Sequence, residues 1–191
     1  MNGQRALSMK SRIIIDSPGI DRILTRMTHE ILEVHKGTEK LTLIGIQTRG
    51  VHMARRLQKR ILMIEGVEVP VGVLDITLYR DDWTRISPHP VIQATDISFS
   101  VDDRDILLID DVLFTGRTIR AAMDALIDFG RPKRIELAVL VDRGHRELPI
   151  QANYIGKSLP TRRAETINVM FTESDAIDQV ALEESKENNG N

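Results

Sequence analysis

Ile106-Leu107-Leu108-Ile109-Asp110-Asp111-Val112-Leu113-Phe114-Thr115-Gly116-Arg117-Thr118 decides the reading of this chain. Four apolar residues end in two adjacent carboxylates, a short turn follows, and Thr-Gly-Arg-Thr opens an amphipathic stretch. The run over 105–109 predicts a buried strand. The stretch after it sets Ile119, Ala122, Leu126 and Phe129 on one side of a helix that stops at Gly130. A helix N-terminus carries unpaired N–H groups and the positive end of its dipole, and both suit a phosphate. Paired acids at a strand tip accept hydrogen bonds from the vicinal hydroxyls of a pentose. The segment therefore reads as a cup for a sugar phosphate. Acids are favoured near any helix start; that plainer reading explains either acid alone, and not the whole run.

Working outward, apolar periodicity switches repeatedly between short runs and helical spacing. Residues 12–15 predict a short strand, and Ser17-Pro18 predicts a helix start with Ser17 as N-cap and Pro at the first helical position. That helix keeps Ile20, Leu24, Met27, Ile31 and Val34 on one stripe and stops at Lys36-Gly37. A buried strand over 41–46 leads through Gln47-Thr48-Arg49-Gly50 into a second helix, with Val51, Ala54, Leu57, Ile61 and Ile64 facing the core. Further strands are expected over 69–78 and 134–141 and at Ile167, Val169 and Phe171. Residues 79–104 lack a clear period and are rich in Pro, Asp and Ser, as expected of a flexible arm or hood. Alternating strands and helices predict an α/β fold, a doubly wound and mostly parallel sheet. Ligands of such sheets sit at the carboxyl ends of the strands. The turns 47–50, 110–118 and 142–146 all follow predicted strands and should gather there. A single domain is expected over 1–172. The acidic, polar tail 173–191 is expected to fray.

At 191 residues the chain suffices for one filled core, and 41% hydrophobic with 28% charged residues is ordinary for a globular protein. A net charge of −2 announces no bulk nucleic-acid binder, so any such surface must be local. The absence of cysteine removes thiol catalysis, disulfides and thiolate zinc sites, and fits a reducing cytoplasm. No signal-peptide or membrane-spanning stretch is read, so no membrane partner is expected. The chain lacks G-x-x-x-x-G-K-[ST] and G-x-G-x-x-G, which argues against triphosphate and dinucleotide cradles.

Residues 106–118 resemble the signature with which type I phosphoribosyltransferases bind phosphoribosyl pyrophosphate (PRPP). Ile46-Gln47-Thr48-Arg49-Gly50, the run 75–82 and Val141-Asp142-Arg143-Gly144-His145-Arg146-Glu147-Leu148-Pro149 together resemble one branch of that family. That branch comprises bacterial pyrimidine operon attenuation regulators that are also uracil phosphoribosyltransferases, and the likeness runs from about Ile20 to Val169. The resemblance implies the type I phosphoribosyltransferase fold and conversion of uracil and PRPP to UMP and pyrophosphate. It implies Asp110 and Asp111 on the ribose hydroxyls, and Val112, Leu113, Phe114, Thr115, Gly116, Arg117 and Thr118 around the 5′-phosphate. Thr48, Arg49 and Gly50 match the pyrophosphate loop, Arg80 is a candidate contact from the arm, and Val141, Asp142 and Arg143 stand on the base side. Asp110, Asp111, Arg49 and Arg80 are thus the catalytic candidates. Mg²⁺ is implied with PRPP, near Asp110 and Asp111 through water and substrate oxygens.

A second role is implied on RNA. Arg22, Thr25, Arg26, His29 and Lys36 share one arc of the first helix, interrupted by Glu33, and a solvated charged face is the default reading of such an arc. The resemblance implies that Thr25, Arg26, His29, Thr48, His145, Arg146 and Lys157 bind pyrimidine operon leader mRNA, with UMP favouring the bound state. His145 is given no acid–base role. Gln151 departs from the basic residue expected at its position, while Lys157, Arg162 and Arg163 keep the neighbourhood positive. A cytoplasmic homodimer or higher homo-oligomer is implied. Two readings stand beside this one, a regulator with little turnover and a purine-type phosphoribosyltransferase without an RNA role. A receiver-like phosphoacceptor domain leaves Thr-Gly-Arg-Thr without a job.

Overall fold

The computed structural model describes residues 10–79 and 94–184. Arg80 and the middle of the expected arm, 80–93, lie outside the described residues. Strand β1 (Lys10–Ile15) leads into helix α1 (Ser17–His35). The helix begins one residue earlier than expected, because Asp16 is its N-cap and its Oδ1 accepts from Gly19 N at 2.9 Å. Strand β2 (Leu41–Ile46), helix α2 (Arg49–Glu65) and strand β3 (Val71–Leu74) follow. Strand β4 (Asp105–Leu113), helix α3 (Arg117–Ile127), strand β5 (Arg134–Asp142) and strand β6 (Tyr154–Ser158) complete the main sheet. Strand β7 (Glu165–Met170), the single turn α4 (Thr172–Asp175) and strand β8 (Gln179–Glu184) are the last described elements.

Strands β3-β2-β4-β5-β6 form a parallel sheet in that order. Alternation along the buried strands divides the core. Leu41, Leu43, Leu107, Ile109, Ala138 and Leu140 face α1, α2 and the smaller sheet. Ile44, Ile46, Ile106, Leu108, Leu137 and Val139 face α3. This is the expected doubly wound α/β arrangement. A second sheet, β1-β8-β7, is antiparallel and buries Ile15, Ile167, Val169, Phe171 and Val180 against the first core.

Four expectations are corrected. The strand over 69–78 shrinks to β3, because Asp75 accepts from Thr77 N at 2.8 Å and turns the chain into a 3₁₀ turn over Thr77–Tyr79. The tail does not fray from Glu173. Residues 172–175 form α4, and β8 becomes the central strand of the small sheet, pairing with both β1 and β7. The later arm, 94–104, is not loose either: Asp96 bridges Val73, and Ile97, Phe99 and Val101 join the core under α3. Val34 and Ile64, expected inside, are exposed at the last turns of their helices, and Phe129, also expected inside, is exposed just beyond the end of α3. β6 and β8 were not expected from the sequence.

Candidate functional site

Strand β4 continues through both acids instead of stopping before them. Its pairing with β5 runs on through Asp110↔Val139, Val112↔Val141 and Leu113↔Asp142. Strand alternation puts Asp110 in line with Ile106 and Leu108, and Asp111 in line with Leu107 and Ile109. Each carboxylate is steadied locally: Asp110 Oδ1 accepts from Asp111 N at 3.0 Å, and Asp111 Oδ1 accepts from Val112 N at 2.9 Å. Both acids line a cavity of about 380 Å³ with Thr48, Val112 and Thr118. Asp75, Thr77 and Gln47 share its wall, three residues to which sequence reasoning gave no role. The local Asx-type turn at Asp75 carries no sequence signal distinguishing a cavity wall from a loop.

A second cavity of about 380 Å³ opens on the same β4–α3 segment and is lined by Val112 to Ile119 together with Glu147. The two cavities meet at Val112 and Thr118. Gly116 is the N-cap of α3 with φ of 92°, a conformation that favours glycine, and it leaves the first N–H groups of the helix at this cavity. Arg117 stands at the rim, with Nε donating to Glu147 at 2.9 Å.

Gly50 lets α2 reach β4. A Cβ at this position would lie 2.3 Å from Ile109 O, backbone that has nowhere to go. The peptide bond Gln47–Thr48 before it is cis. Arg49 lines neither cavity; its Nη2 donates to Asp175 Oδ1 at 3.0 Å, and its Nε is buried with no protein partner. Burial pushes the Asp111 carboxyl above the usual carboxylate range, against the opposing pull of the Asp110 hydrogen bond and the Arg49 charge.

The base-side candidates take different places. Val141 is fully buried in the core. Asp142 accepts from Gly144 N at 3.0 Å and from Arg146 Nη2 at 2.5 Å. Arg143 is buried, its Nε donating to Thr161 Oγ1 at 3.1 Å and its guanidinium 4.0 Å over the Phe114 ring. None of the three lines either cavity.

The expected RNA residues divide in two. Arg26 and Lys157 line one groove with Arg22, beside the edge strand β6. Arg26 Nη2 donates to Ile155 O at 2.9 Å and Gly156 O at 2.7 Å, fixing α1 against that strand. Thr25 and His29 are exposed on the same helix. Thr48, expected on both the substrate and the RNA side, lines the carboxylate cavity. His145 and Arg146 are committed within the chain: the His145 ring meets Thr161 O at 2.5 Å, and Arg146 donates to Phe114 O at 2.8 Å and Ile150 O at 3.0 Å. Among the described residues no helix is long and apolar enough to cross a membrane.

Residues 12–171 match the family model described as phosphoribosyl transferase domain. The chain is 54% identical over 175 residues to Bifunctional protein PyrR of Caldicellulosiruptor bescii, covering 92% of this chain and 96% of that protein. To Bifunctional protein PyrR of Deinococcus radiodurans it is 56% identical over 169 residues, covering 88% and 92%. Among solved structures, a hypoxanthine phosphoribosyltransferase of Staphylococcus aureus matches with a TM-score of 0.67 over 94% of this chain and 96% of that one. At 20% identity that likeness shows the fold alone. With the parallel sheet, the β4–α3 cup and these relatives together, the chain belongs to the phosphoribosyl transferase domain family and, within it, to the family of the Bifunctional proteins PyrR.

Proposed function

We propose that this protein is a uracil phosphoribosyltransferase, joining uracil to PRPP to give UMP and pyrophosphate, and that it also binds a pyrimidine operon leader RNA in a UMP-dependent way to regulate transcription attenuation. One observation carries the enzymatic half: a cavity walled by Asp110 and Asp111 runs into a second at the N-terminus of α3, which matches a pentose bearing a 5′-phosphate. Asp110 and Asp111 orient the ribose hydroxyls, and the turn from Thr115 to Thr118 holds the phosphate. C1 of the ribose gains cationic character as its bond to pyrophosphate breaks, and uracil N1 attacks from the opposite face. Catalysis is then positioning plus stabilisation of the leaving group. Arg49, whose charge acts on Asp111, assists departure, and Arg80 is the arm's candidate for the same task. The base is read by backbone groups after β5, which leaves Val141, Asp142 and Arg143 to shape that wall from behind.

Two hard carboxylates at the cavity wall fit Mg²⁺, which would be held by Asp110 and Asp111 through water and by substrate oxygens. Bound there, the ion would supply neutralisation of the negative charge on pyrophosphate. The RNA half rests on the groove where Arg22, Arg26 and Lys157 meet, flanked by Thr25 and His29, a basic surface able to take phosphates and unstacked loop bases. UMP shifts RNA affinity by binding the RNA-competent state more tightly. Leu62, Met63, Ile64 and Val67 form an exposed apolar end to α2, which suits a homodimer or higher homo-oligomer. The substrates and a nascent transcript meet in the cytoplasm.

The test is conversion of labelled uracil with PRPP, run beside hypoxanthine, guanine and adenine, and a gel shift of leader RNA with and without UMP. Turnover of uracil alone and a UMP-dependent shift are expected. Turnover of a purine, or none with any base, overturns the enzymatic half. A shift insensitive to UMP overturns the coupling.

A further inference from the structure

The turn α4 lies against the outer face of α2, and it is built to stay there. Arg56 donates to Glu173 Oε2 at 2.6 Å and to Asp178 Oδ1 at 2.7 Å, while its guanidinium lies 4.7 Å over the ring of the fully buried Phe171. Burial would lower the Arg56 pKa, but the hydrogen bonds and charges of Glu173 and Asp178 outweigh it and raise it. His52 packs edge-on against the same ring, and Thr172 N donates to Asp178 Oδ1 at 2.8 Å. Strand β8 follows at once and is clasped between β1 and β7. The platform is anchored at both ends.

Asp175 projects from this platform. Its Oδ2 accepts from Phe171 N at 3.0 Å and Ser174 Oγ at 2.8 Å, which leaves Oδ1 aimed at Arg49 Nη2, 3.0 Å away. On its other side Arg49 acts electrostatically on Asp111. The guanidinium is thus tethered to α4 within electrostatic reach of Asp111, with a buried Nε that finds no partner in the protein. A side chain held this way has donors left over for an anion. Isolated ion pairs on a surface are worth little, but this carboxylate is fixed through its second oxygen and so spends little entropy in holding its partner.

We propose that Asp175 is a positioning residue for the reaction: it holds the Arg49 guanidinium at the end of β4 in the orientation that receives the pyrophosphate of PRPP. This rests on the reading of Arg49 given above. Asp175 lies beyond the matched residues 12–171, in the stretch whose composition reads as a frayed tail. Asp175 touches no reacting atom and acts only through Arg49.

Steady-state kinetics of D175N, D175E, R49A and the R49A/D175N double variant test the proposal. D175N is expected to raise KM for PRPP roughly threefold to tenfold, what one partly exposed charge-assisted hydrogen bond supplies. KM for uracil should stay within about twofold, and D175E should recover most of the loss. In the R49A background, D175N should change nothing further. If R49A raises KM for PRPP and D175N does not, or if D175N acts equally in both backgrounds, the positioning role is overturned and the reading of Arg49 stands. If R49A itself leaves both KM for PRPP and kcat unchanged, that reading falls and the positioning role with it.

Discussion

The guanidinium of Arg143 lies 4.0 Å over the ring of Phe114, and this contact fastens the loop after β5 onto the loop after β4. Arg146 adds to the seam through Phe114 O, and Glu147 N and Leu148 N donate to Thr115 O at 3.0 and 3.2 Å. The segment expected to meet RNA is thus sewn to the rim of the phosphate cup.

Arg146 consequently braces the cup. R146Q removes donors from carbonyls that are partly buried, which costs about 1–3 kcal/mol. Its denaturation midpoint should fall and its KM for PRPP should rise, alongside any loss on RNA. An R146Q variant with wild-type stability and PRPP kinetics but no RNA binding would show that the side chain is a contact and not a brace.

Lys157 has no such internal task among the described residues and lies in the groove with Arg22 and Arg26. K157A should weaken leader RNA binding without altering PRPP kinetics. The slope of log affinity against log salt should fall by about 0.7, the share of one single-strand phosphate contact. An unchanged slope would remove Lys157 from the interface.

Asp111 trades stability for function. Burial raises its carboxyl pKa above the unfolded value, so the folded state binds the extra proton. Its contribution to stability is therefore lost as pH rises through that raised pKa, the reverse of an ion-paired carboxylate. D111N should lower PRPP-dependent turnover by about 100-fold, the scale of a misplaced substrate. It should also melt no lower than wild type at neutral pH, with the difference shrinking as the buffer is taken below the ordinary carboxylate range. A D111N protein that melts well below wild type at neutral pH contradicts this sign.

Gly50 sets how closely α2 approaches β4. The 2.3 Å meeting between a new Cβ and Ile109 O is with backbone, so G50A must push the helix and strand apart. A cost of about 1–3 kcal/mol follows from overpacking, together with a loss of PRPP affinity because Arg49 moves with the helix. Urea unfolding and PRPP titration of the same preparation should show both losses.

Most of the β4–α3 cup was legible because its signals are local. An apolar run, two acids, a glycine and a helix start lie within thirteen successive residues of the chain. β6 and β8 were not legible for a physical reason: Tyr154–Ser158 and Gln179–Glu184 are short, show no clean apolar–polar alternation, end in polar or charged residues, and become strands only through the neighbours they pair with. The tail expectation failed there, since composition cannot see a waiting edge of β1 and β7.

What the order of residues determined alone is the alternation of strand and helix, the place where phosphate and pentose are expected, and the glycine that permits a close turn. These follow from backbone sterics and periodicity, which act between near neighbours. Tertiary structure alone decided which charged side chains are spent inside the molecule. Arg49 meets Asp175 across 126 residues, and Arg146 meets Phe114 across 32, so a guanidinium that reads as a surface cation becomes a brace only once the sheet has brought its carbonyls and carboxylates within reach.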